Sequence, residues 1–208
     1  MTAARGYIVS GTDTDVGKTV FAAGLAAALK SDYWKPAQAG LEGATDSSEV
    51  ARLAPEALVL PEAYRLATPC SPHESARIDG VRIELAELAL PQSDRPLVVE
   101  GAGGVLVPYR MDLLAADIFA HWGLPVVLVA RTALGTINHT LLSIEALRAR
   151  DIPVAGVAFI GEAEPVAEEA IVEIGKVAHL GRLPRLDPLT AETLAAAFAS
   201  GIRMDLLA

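Results

Sequence analysis

A glycine-flanked loop between an apolar run and an alanine-rich run constrains the fold of this chain more than any other feature. The loop spans Gly11–Thr19 and has the sequence GTDTDVGKT. The apolar run Tyr7–Ser10 before it is typical of a short buried strand, and Val20–Leu29 after it is typical of a helix. Backbone N–H groups in such a loop, together with the N-terminus of the following helix, bind phosphate. The sequence therefore predicts a strand–loop–helix unit that binds a phosphate-bearing ligand.

The spacing of the glycines differs from the common phosphate-loop pattern. That pattern has about four residues between its two glycines, whereas five residues separate Gly11 from Gly17. A chance glycine turn at a strand–helix junction is the alternative interpretation. The flanking strand and helix favour phosphate binding, because Lys18 would then supply positive charge for the outer phosphates and the Thr19 hydroxyl could ligate Mg²⁺.

Strand and helix patterns alternate along the rest of the 208 residues. The strand candidates are continuous apolar runs, as expected of strands that are buried on both faces. We therefore predict a single domain, residues 1–208, with an α/β fold: a doubly wound, mostly parallel sheet in a three-layer α/β/α arrangement like that of P-loop NTPases. The strand candidates are Tyr7–Ser10, Tyr33–Lys35, Leu97–Glu100, Val126–Ala130, Val154–Ile160 and His179–Leu183, and the helix candidates are Val20–Leu29, Asp112–Trp122, Asn138–Arg150, Glu164–Lys176 and Thr190–Ser200.

The composition disfavours several classes of partner. The chain has 17 Lys and Arg residues against 26 Asp and Glu residues, with a net charge of −9, and no basic stripe, which disfavours nucleic acid. No apolar run approaches the ~20 residues that cross a bilayer. The first strand candidate follows the N-terminus too closely for a signal peptide, so we expect a cytoplasmic protein without a membrane partner. The single cysteine, Cys70, excludes an internal disulfide and a cysteine metal cluster.

Two charged residues stand at the ends of predicted strands, where ligands bind in doubly wound folds. Glu100 precedes a glycine-rich stretch that lets the backbone approach phosphates closely; a solvent-exposed Glu100 in an ordinary turn is the alternative. Lys35 could stabilise charge in a transition state, or it could be a surface lysine. Together with the phosphate loop, Glu100 predicts a carboxylate of a magnesium site.

Three further positions have both a structural and a functional interpretation. Asp46 precedes a helical run, so it is either an N-cap or a second Mg²⁺ carboxylate. Asn138 is expected to be the N-cap of the helix that follows it. The segment Ser71–His73 predicts a proline-anchored turn in which His73 caps or packs.

Taken together, these stretches resemble the dethiobiotin synthetase family over nearly the whole chain. The phosphate loop with its additional residue is the form that this family has, so the unusual spacing supports the resemblance. The resemblance implies an ATP- and Mg²⁺-dependent enzyme of biotin biosynthesis, a cyclo-ligase that forms C–N bonds. The matching stretches are Gly11–Thr19, Lys35–Gly40, Asp46, Ser71–His73, Glu100–Gly104, Gly135–His139 and Leu180–Pro184.

The reaction that the resemblance implies has three steps. CO2 carboxylates 7,8-diaminononanoate (7,8-diaminopelargonate) to a carbamate. A carbamate oxygen then attacks the γ-phosphate of ATP and gives a carbamic–phosphoric anhydride. The second amine closes the ring, and phosphate and dethiobiotin are released. The family also implies a homodimer with the active site at the subunit interface.

The resemblance further implies roles for individual residues in catalysis, in Mg²⁺ and nucleotide binding, and in substrate binding. The catalytic positions are Lys35 and Lys18, the metal positions are Thr19, Asp46 and Glu100, and the substrate positions are Thr14, Ala39 and Asn138, the last reaching the substrate bound by the other subunit. The nucleotide positions are Asp15, Val16, Gly17, Lys18, Thr19, Val20, Asp46, Glu100, Gly101, Ala102, Gly103, Leu183, Pro184 and Arg185.

Three positions depart from the family pattern. Ala39 replaces a usual serine or threonine, which removes a hydroxyl contact to the substrate. Asp15 replaces a frequent glutamate with a shorter carboxylate. Ile160 stands where an asparagine usually reads the base, so we expect a relaxed preference for ATP over other triphosphates.

Two other functions are alternatives. A partition or positioning ATPase, which acts as a nucleotide switch, usually has an additional lysine early in the phosphate loop, where this chain has Thr12–Thr14. Cobyrinate synthases linked to amidotransferases carry a glutaminase domain, which we do not expect in a chain that ends at Ala208. The dethiobiotin synthetase interpretation explains the ordered motifs better than either.

Overall fold

The computed structural model describes residues 5–207, so the first four residues and Ala208, which the predicted domain includes, lie outside the described residues. Eleven strands and seven α-helices alternate along this part of the chain. The strands are β1 Gly6–Gly11, β2 Asp32–Trp34, β3 Ala37–Ala39, β4 Val59–Leu60, β5 Tyr64–Leu66, β6 Leu97–Gly104, β7 Pro108–Arg110, β8 Leu113–Leu114, β9 Val126–Arg131, β10 Val154–Ile160 and β11 His179–Leu183. The helices are α1 Lys18–Leu29, α2 Asp46–Leu53, α3 Pro72–Ile78, α4 Ala115–Trp122, α5 Thr136–Arg148, α6 Pro165–Gly175 and α7 Ala191–Gly201, with 3₁₀ turns at Leu85–Leu88 and Met204–Leu206.

Seven strands form the central sheet, in the order β11-β10-β9-β1-β6-β2-β4. Every pairing described in this sheet is parallel. The strand order reverses direction at β1, which carries the phosphate loop, and this is where ligands bind in doubly wound sheets. The predicted α/β fold with a doubly wound parallel sheet is confirmed.

Helices cover both faces of the sheet and bury two separate clusters of apolar side chains. On one face, α1 and α7 contribute Phe21 and Phe198, whose ring centroids are 5.3 Å apart. On the other face, Phe119 of α4, Ile144 of α5 and Ile171 of α6 pack together. Continuous burial on both faces explains why the strands are uninterrupted apolar runs.

Side chains alternate between the two faces along β2 and β6, as the two-residue period of a strand requires. Tyr33 and Val98 pack with α1 on one face, whereas Trp34 and Val99 pack with α4 on the other. Tyr33 and Val98 are also opposite each other in the parallel register of β2 and β6. Glu100, two residues beyond Val98, therefore points to the same face as Tyr33.

The helix predicted over Asp112–Trp122 begins three residues later than expected, at Ala115. Leu113 and Leu114 instead form β8, which pairs antiparallel with β7. The Asp117 carboxylate accepts a hydrogen bond from the Leu114 N–H at 2.9 Å, and this fixes the start of the helix. Asp112, which the sequence placed at the helix start, lies in the turn outside it.

Replacing Asp117 with alanine should lower the free energy of unfolding by about 0.5–2 kcal/mol, the usual cost of losing such a cap. The Arg150 hydrogen bond and the Leu114 N–H lower the pKa of Asp117. Its contribution is therefore present above the unfolded-state pKa of about 3.9 and is lost as the pH falls through the lower folded-state pKa. Urea denaturation at neutral and acidic pH measures this. Asp112→Ala, in an exposed pair with Arg110, is the matched control and should cost less than Asp117→Ala, because water screens exposed ion pairs.

The N-termini of two other helices also differ from the prediction. Helix α5 begins at Thr136, because Gly135 takes the left-handed conformation (φ 92°) and serves as the N-cap; Asn138 lies inside the first turn. Helix α2 is capped by Thr45, whose hydroxyl accepts from the Ser48 N–H at 3.2 Å. Asp46 is therefore the first helical residue, and the N-cap interpretations of Asn138 and Asp46 were wrong.

The remaining differences concern the ends of elements. Ser71–His73 is the start of helix α3 rather than an isolated turn, since Pro72 occupies its first position. Strand β2 ends at Trp34, one residue before Lys35, and β6 continues past Glu100 to Gly104. In the part of the chain from residue 5 to residue 207, no helix combines the length and the apolar character that crossing a membrane requires.

Candidate active site

The phosphate loop connects β1 to α1 through two residues in the left-handed backbone conformation. Asp15 and Gly17 both have positive φ, 56° and 89°, a conformation that aspartate and glycine tolerate better than most residues. A side chain at Gly11 would place its Cβ 2.7 Å from the Asp13 carbonyl oxygen. The loop therefore needs glycine at both ends, and the helix it precedes adds a favourable dipole for an anion.

Lys18 is held inside this loop. Its Nζ donates to the Asp13 carbonyl at 2.9 Å, and the residue is buried. Burial lowers the pKa of Lys18, and the positive charge of Lys35 lowers it further, while nearby carboxylates oppose both effects. The side chain thus stands across the loop, where an outer phosphate would meet its ammonium group.

Three hard oxygen atoms converge next to the loop. Thr19 Oγ1 lies 3.0 Å from Asp46 Oδ1 and 2.9 Å from Glu100 Oε1. Glu100 is almost completely buried, at 1% exposure, so the interpretation of a solvent-exposed carboxylate was wrong. Hydroxyl and carboxylate oxygens in such a cluster are the ligands that Mg²⁺ takes.

Lys35 joins the two carboxylates. Its Nζ lies 2.6 Å from Asp46 Oδ2 and 3.2 Å from Glu100 Oε1, and it donates to the Gly101 carbonyl at 3.2 Å. Burial acts to lower the pKa of Lys35, but the charges of Glu100 and Asp46 outweigh it and raise the pKa above its ordinary value. The same ion pair lowers the pKa of Asp46 against the effect of burial. The surface-lysine interpretation of Lys35 was therefore wrong.

Two residues that support this cluster were not among the site residues predicted from the sequence. The Gln38 side-chain oxygen accepts the Asp46 N–H at 3.1 Å, which ties the start of α2 to β3. The Tyr33 hydroxyl donates to Glu100 Oε2 at 2.8 Å. Gln38 lies in the motif KPAQAG, so its position offered a signal, whereas Tyr33 read only as an ordinary strand residue.

A cavity of about 810 Å³ opens above the loop and the cluster, large enough for a nucleoside triphosphate with a small substrate. It contains Thr14 and Ala39 from the predicted substrate set, and Cys70 lies in its wall. Val16 and Val20 lie behind the loop against the core. The lining residues are Thr14, Asp15, Gly17, Lys18, Thr19, Lys35, Ala37, Gln38, Ala39, Asp46, Pro69, Cys70, Ser71, Glu100, Ala102, Gly103 and Val107.

Leu183, Pro184 and Arg185 of the predicted nucleotide set lie at the same carboxyl end of the sheet but outside this cavity. Leu183 ends β11 and is buried, and Pro184 and Arg185 after it are exposed. Strand β11 is three positions from β1, roughly 14 Å at the usual strand spacing. The Ile160 side chain packs against the phosphate loop, since a Cβ on Gly17 would lie 3.1 Å from Ile160 Cγ2. The role of this segment stays a prediction.

Asn138 does not line the cavity of its own chain. It is exposed on the first turn of α5 and borders a separate, mostly apolar depression that also includes Leu134 and Leu141. The structure therefore brings together the phosphate, metal and lysine positions, while Asn138 stands apart from them. A contribution of Asn138 to another subunit stays a prediction.

Known sequences decide between the remaining interpretations. The chain is 60% identical over 200 residues to the ATP-dependent dethiobiotin synthetase BioD of Rhodopseudomonas palustris strain BisB18, covering 95% of this chain and 96% of the relative. It is 63% identical over 198 residues to BioD of Rhizorhabdus wittichii strain RW1, covering 94% and 95%. The chain belongs to the dethiobiotin synthetase family. Residues 5–193 also match the family described as AAA domain.

Solved structures agree on the fold. A ParA family ATPase from Chlorobium tepidum superposes with a TM-score of 0.58 at 11% identity, covering 96% of this chain and 94% of that one. The septum site-determining protein MinD from Pyrococcus horikoshii, complexed with Mg-ADP, gives a TM-score of 0.57 at 18% identity, covering 93% and 86%. At such identities the likeness is one of fold alone. It confirms the P-loop ATPase architecture and adds no support for a partition function.

Proposed function

We propose that this chain carboxylates 7,8-diaminononanoate with CO2 and closes the ring to dethiobiotin, as a C–N-forming cyclo-ligase that consumes ATP. The observation that carries the proposal is the position of Lys35, bridging Asp46 and Glu100 beside the phosphate loop. A second buried lysine beside the phosphate loop supplies the additional positive charge that a reaction between two anions requires. The cavity that Lys35 lines offers room for both co-substrates.

The two lysines would offset the negative charges of the two reacting groups. A carbamate and a triphosphate are both anions, so their approach is opposed unless positive charge lies between them. Lys18 faces the phosphate loop, and Lys35 stands at the wall shared with Ala37 and Ala39. Both side chains are buried, so their charges are screened little by water and are in place before the reaction begins.

The oxygen cluster fits Mg²⁺. Asp46 and Glu100 supply carboxylate oxygens and Thr19 a hydroxyl oxygen, the ligand types that Mg²⁺ takes. We propose that Thr19, Asp46 and Glu100 hold the ion, directly or through water. When bound, Mg²⁺ would neutralise charge on the phosphate oxygens during transfer. Gln38 and the Thr45 cap would keep Asp46 in place for this.

A homodimer would complete the substrate side. Leu134, in the loop before α5, and Leu142, on α5, are exposed apolar side chains near Asn138, and the exposed Leu106 of the β6–β7 loop lines a depression together with Leu142. Exposed apolar side chains that lie together mark contact surfaces. In the dimer we propose, Asn138 reaches the diamine site of the other subunit, next to Thr14 and Ala39. A monomeric mass by light scattering would contradict this arrangement. The single domain and the cytoplasmic location stay predictions.

Nucleotide selectivity should be weak. The Gly161 N–H is bonded to the Leu183 carbonyl at 2.9 Å, and the Gly161 carbonyl accepts from Arg182 at 2.8 Å. With the apolar Ile160 beside them, these groups are not available to read a base. We expect kcat/KM for ATP to exceed that for CTP or GTP by less than about 10-fold, or ~1.4 kcal/mol. A preference of 1,000-fold, on the order of 4 kcal/mol, would contradict this.

The test of the proposed function is product formation by the purified protein. Incubation with 7,8-diaminononanoate, bicarbonate, ATP and Mg²⁺ should yield dethiobiotin by mass spectrometry, with one phosphate released for each product molecule. Omitting the diamine should stop phosphate release. Phosphate release that is independent of the diamine, without dethiobiotin, would overturn the proposal and favour the nucleotide-switch alternative.

A further inference from the structure

The Tyr33 hydroxyl makes a contact that no part of the proposed reaction uses. Tyr33 lies on β2, is completely buried, and donates to Glu100 Oε2 at 2.8 Å. The two residues meet because β2 and β6 are neighbours in register and both side chains point to the α1 face. The contact joins residues that are 67 positions apart in sequence.

Because of this hydrogen bond, the two oxygens of the Glu100 carboxylate have different partners. Oε2 is occupied by Tyr33, whereas Oε1 is directed at Thr19 Oγ1 and Lys35 Nζ, at 2.9 and 3.2 Å. A carboxylate with one oxygen fixed cannot rotate freely about its terminal bond. The oxygen that faces Thr19 is therefore held in one position.

The donor is a neutral group: the Tyr33 hydroxyl donates to Glu100 Oε2 at 2.8 Å and carries no charge of its own. Since it is neutral, Tyr33 orients Glu100 without cancelling the negative charge that a cation would seek.

We propose that Tyr33 is a positioning residue for the magnesium site, acting through Glu100. The inference rests on the Mg²⁺ site of the proposed function. Outer partners that hold a ligating carboxylate typically change metal affinity by about 10–100-fold when they are removed. A purely structural tyrosine would change the stability of the fold and leave the affinity for Mg²⁺ as it was.

The test compares Tyr33→Phe with Tyr7→Phe, which also removes a hydroxyl but breaks a bond to the Leu207 carbonyl, at 2.9 Å. Calorimetric titration of Mg²⁺ into protein saturated with a non-hydrolysable ATP analogue gives the dissociation constant. We expect it to rise about 10-fold or more in Tyr33→Phe and to stay unchanged in Tyr7→Phe. In steady-state turnover, the Mg²⁺ concentration that gives the half-maximal rate should rise by the same factor. At saturating Mg²⁺, kcat of the variant should stay within roughly a few-fold of kcat of the unmodified protein.

Two further variants separate the loss of the hydroxyl from a loss of folding. Should Tyr33→Phe fold poorly, p-fluorophenylalanine at position 33 fills the place of the hydroxyl without a donor and should show the same weakening. In a Glu100→Gln background, Tyr33→Phe should add little, because the two residues act as one unit. If Tyr33→Phe leaves the Mg²⁺ affinity unchanged while Glu100→Gln weakens it, the positioning role of Tyr33 is overturned and the metal site is not. Unmodified protein that binds no Mg²⁺ overturns the metal site and this inference together.

Discussion

Lys35→Met should lower kcat by about 10²–10³-fold, the usual effect of removing one preorganised charge from a transition state. The reason is the place of the ammonium group, within 3.2 Å of both carboxylates and beside the wall that faces the second substrate. Because Lys18 and the loop still hold the triphosphate, KM for ATP should change much less than kcat. Steady-state measurement of both constants separates the two effects.

The same substitution should also reduce stability, since it leaves the buried Glu100 without its cation, and the partly exposed Asp46 loses the same partner. Breaking a buried ion pair from one side costs about 3–5 kcal/mol, and Mg²⁺ with nucleotide should restore part of this. Lys30→Met is the matched control, because Lys30 is exposed at the far end of α1. Activity of Lys35→Met within a few-fold of that of Lys30→Met would remove Lys35 from its proposed role.

Gly11→Ala should weaken nucleotide binding by roughly 10–100-fold, equivalent to the ~1–3 kcal/mol that overpacking costs. The new Cβ would lie 2.7 Å from the Asp13 carbonyl oxygen and 3.0 Å from Lys18 Cδ. That carbonyl is the acceptor for Lys18 Nζ. Displacing it moves both the loop backbone and the lysine away from the phosphates. Fluorescence titration with a labelled ATP analogue measures the change.

A neighbouring glycine provides the control for this prediction. A Cβ on Gly104 would meet only the Gly11 and Thr12 carbonyls at 3.5 Å, an ordinary contact distance, and its φ is not in the left-handed region. Gly104→Ala should therefore bind nucleotide nearly as well as the unmodified protein. Equal affinity of the two alanine variants would show that close packing around Gly11 is not what shapes the loop.

Much of the fold was predictable because parallel strands buried on both faces leave uninterrupted apolar runs. Strands such as β9 stand out for this reason, and their carboxyl ends pointed to Glu100 and Lys35. Short pairs such as β7 and β8 leave no comparable pattern, so Asp112 was assigned to a helix that begins at Ala115. Helix starts were also ambiguous where several capping residues are adjacent, as at Thr45 and Asp46.

The part of the site that could not be predicted depends on the order of strands in space. Nothing in the sequence places β2 beside β6, because 62 residues separate Trp34 from Leu97 and the strands β3, β4 and β5 form between them. The hydrogen bond between Tyr33 and Glu100 forms only because β2 and β6 are adjacent in the sheet. Lys35 and Asp46 could be named from motifs, but their mutual distance of 2.6 Å required the folded structure.

The most direct test of the account follows the oxygen that the carbamate contributes. In the proposed reaction a carbamate oxygen attacks the γ-phosphorus, and this oxygen leaves with phosphate when the amine closes the ring. A single turnover with ¹⁸O-labelled CO2, completed before the label exchanges with water, should give phosphate that carries one ¹⁸O atom from CO2. Phosphate without label, formed alongside dethiobiotin or without it, would contradict transfer to a carbamate at the Lys35 site.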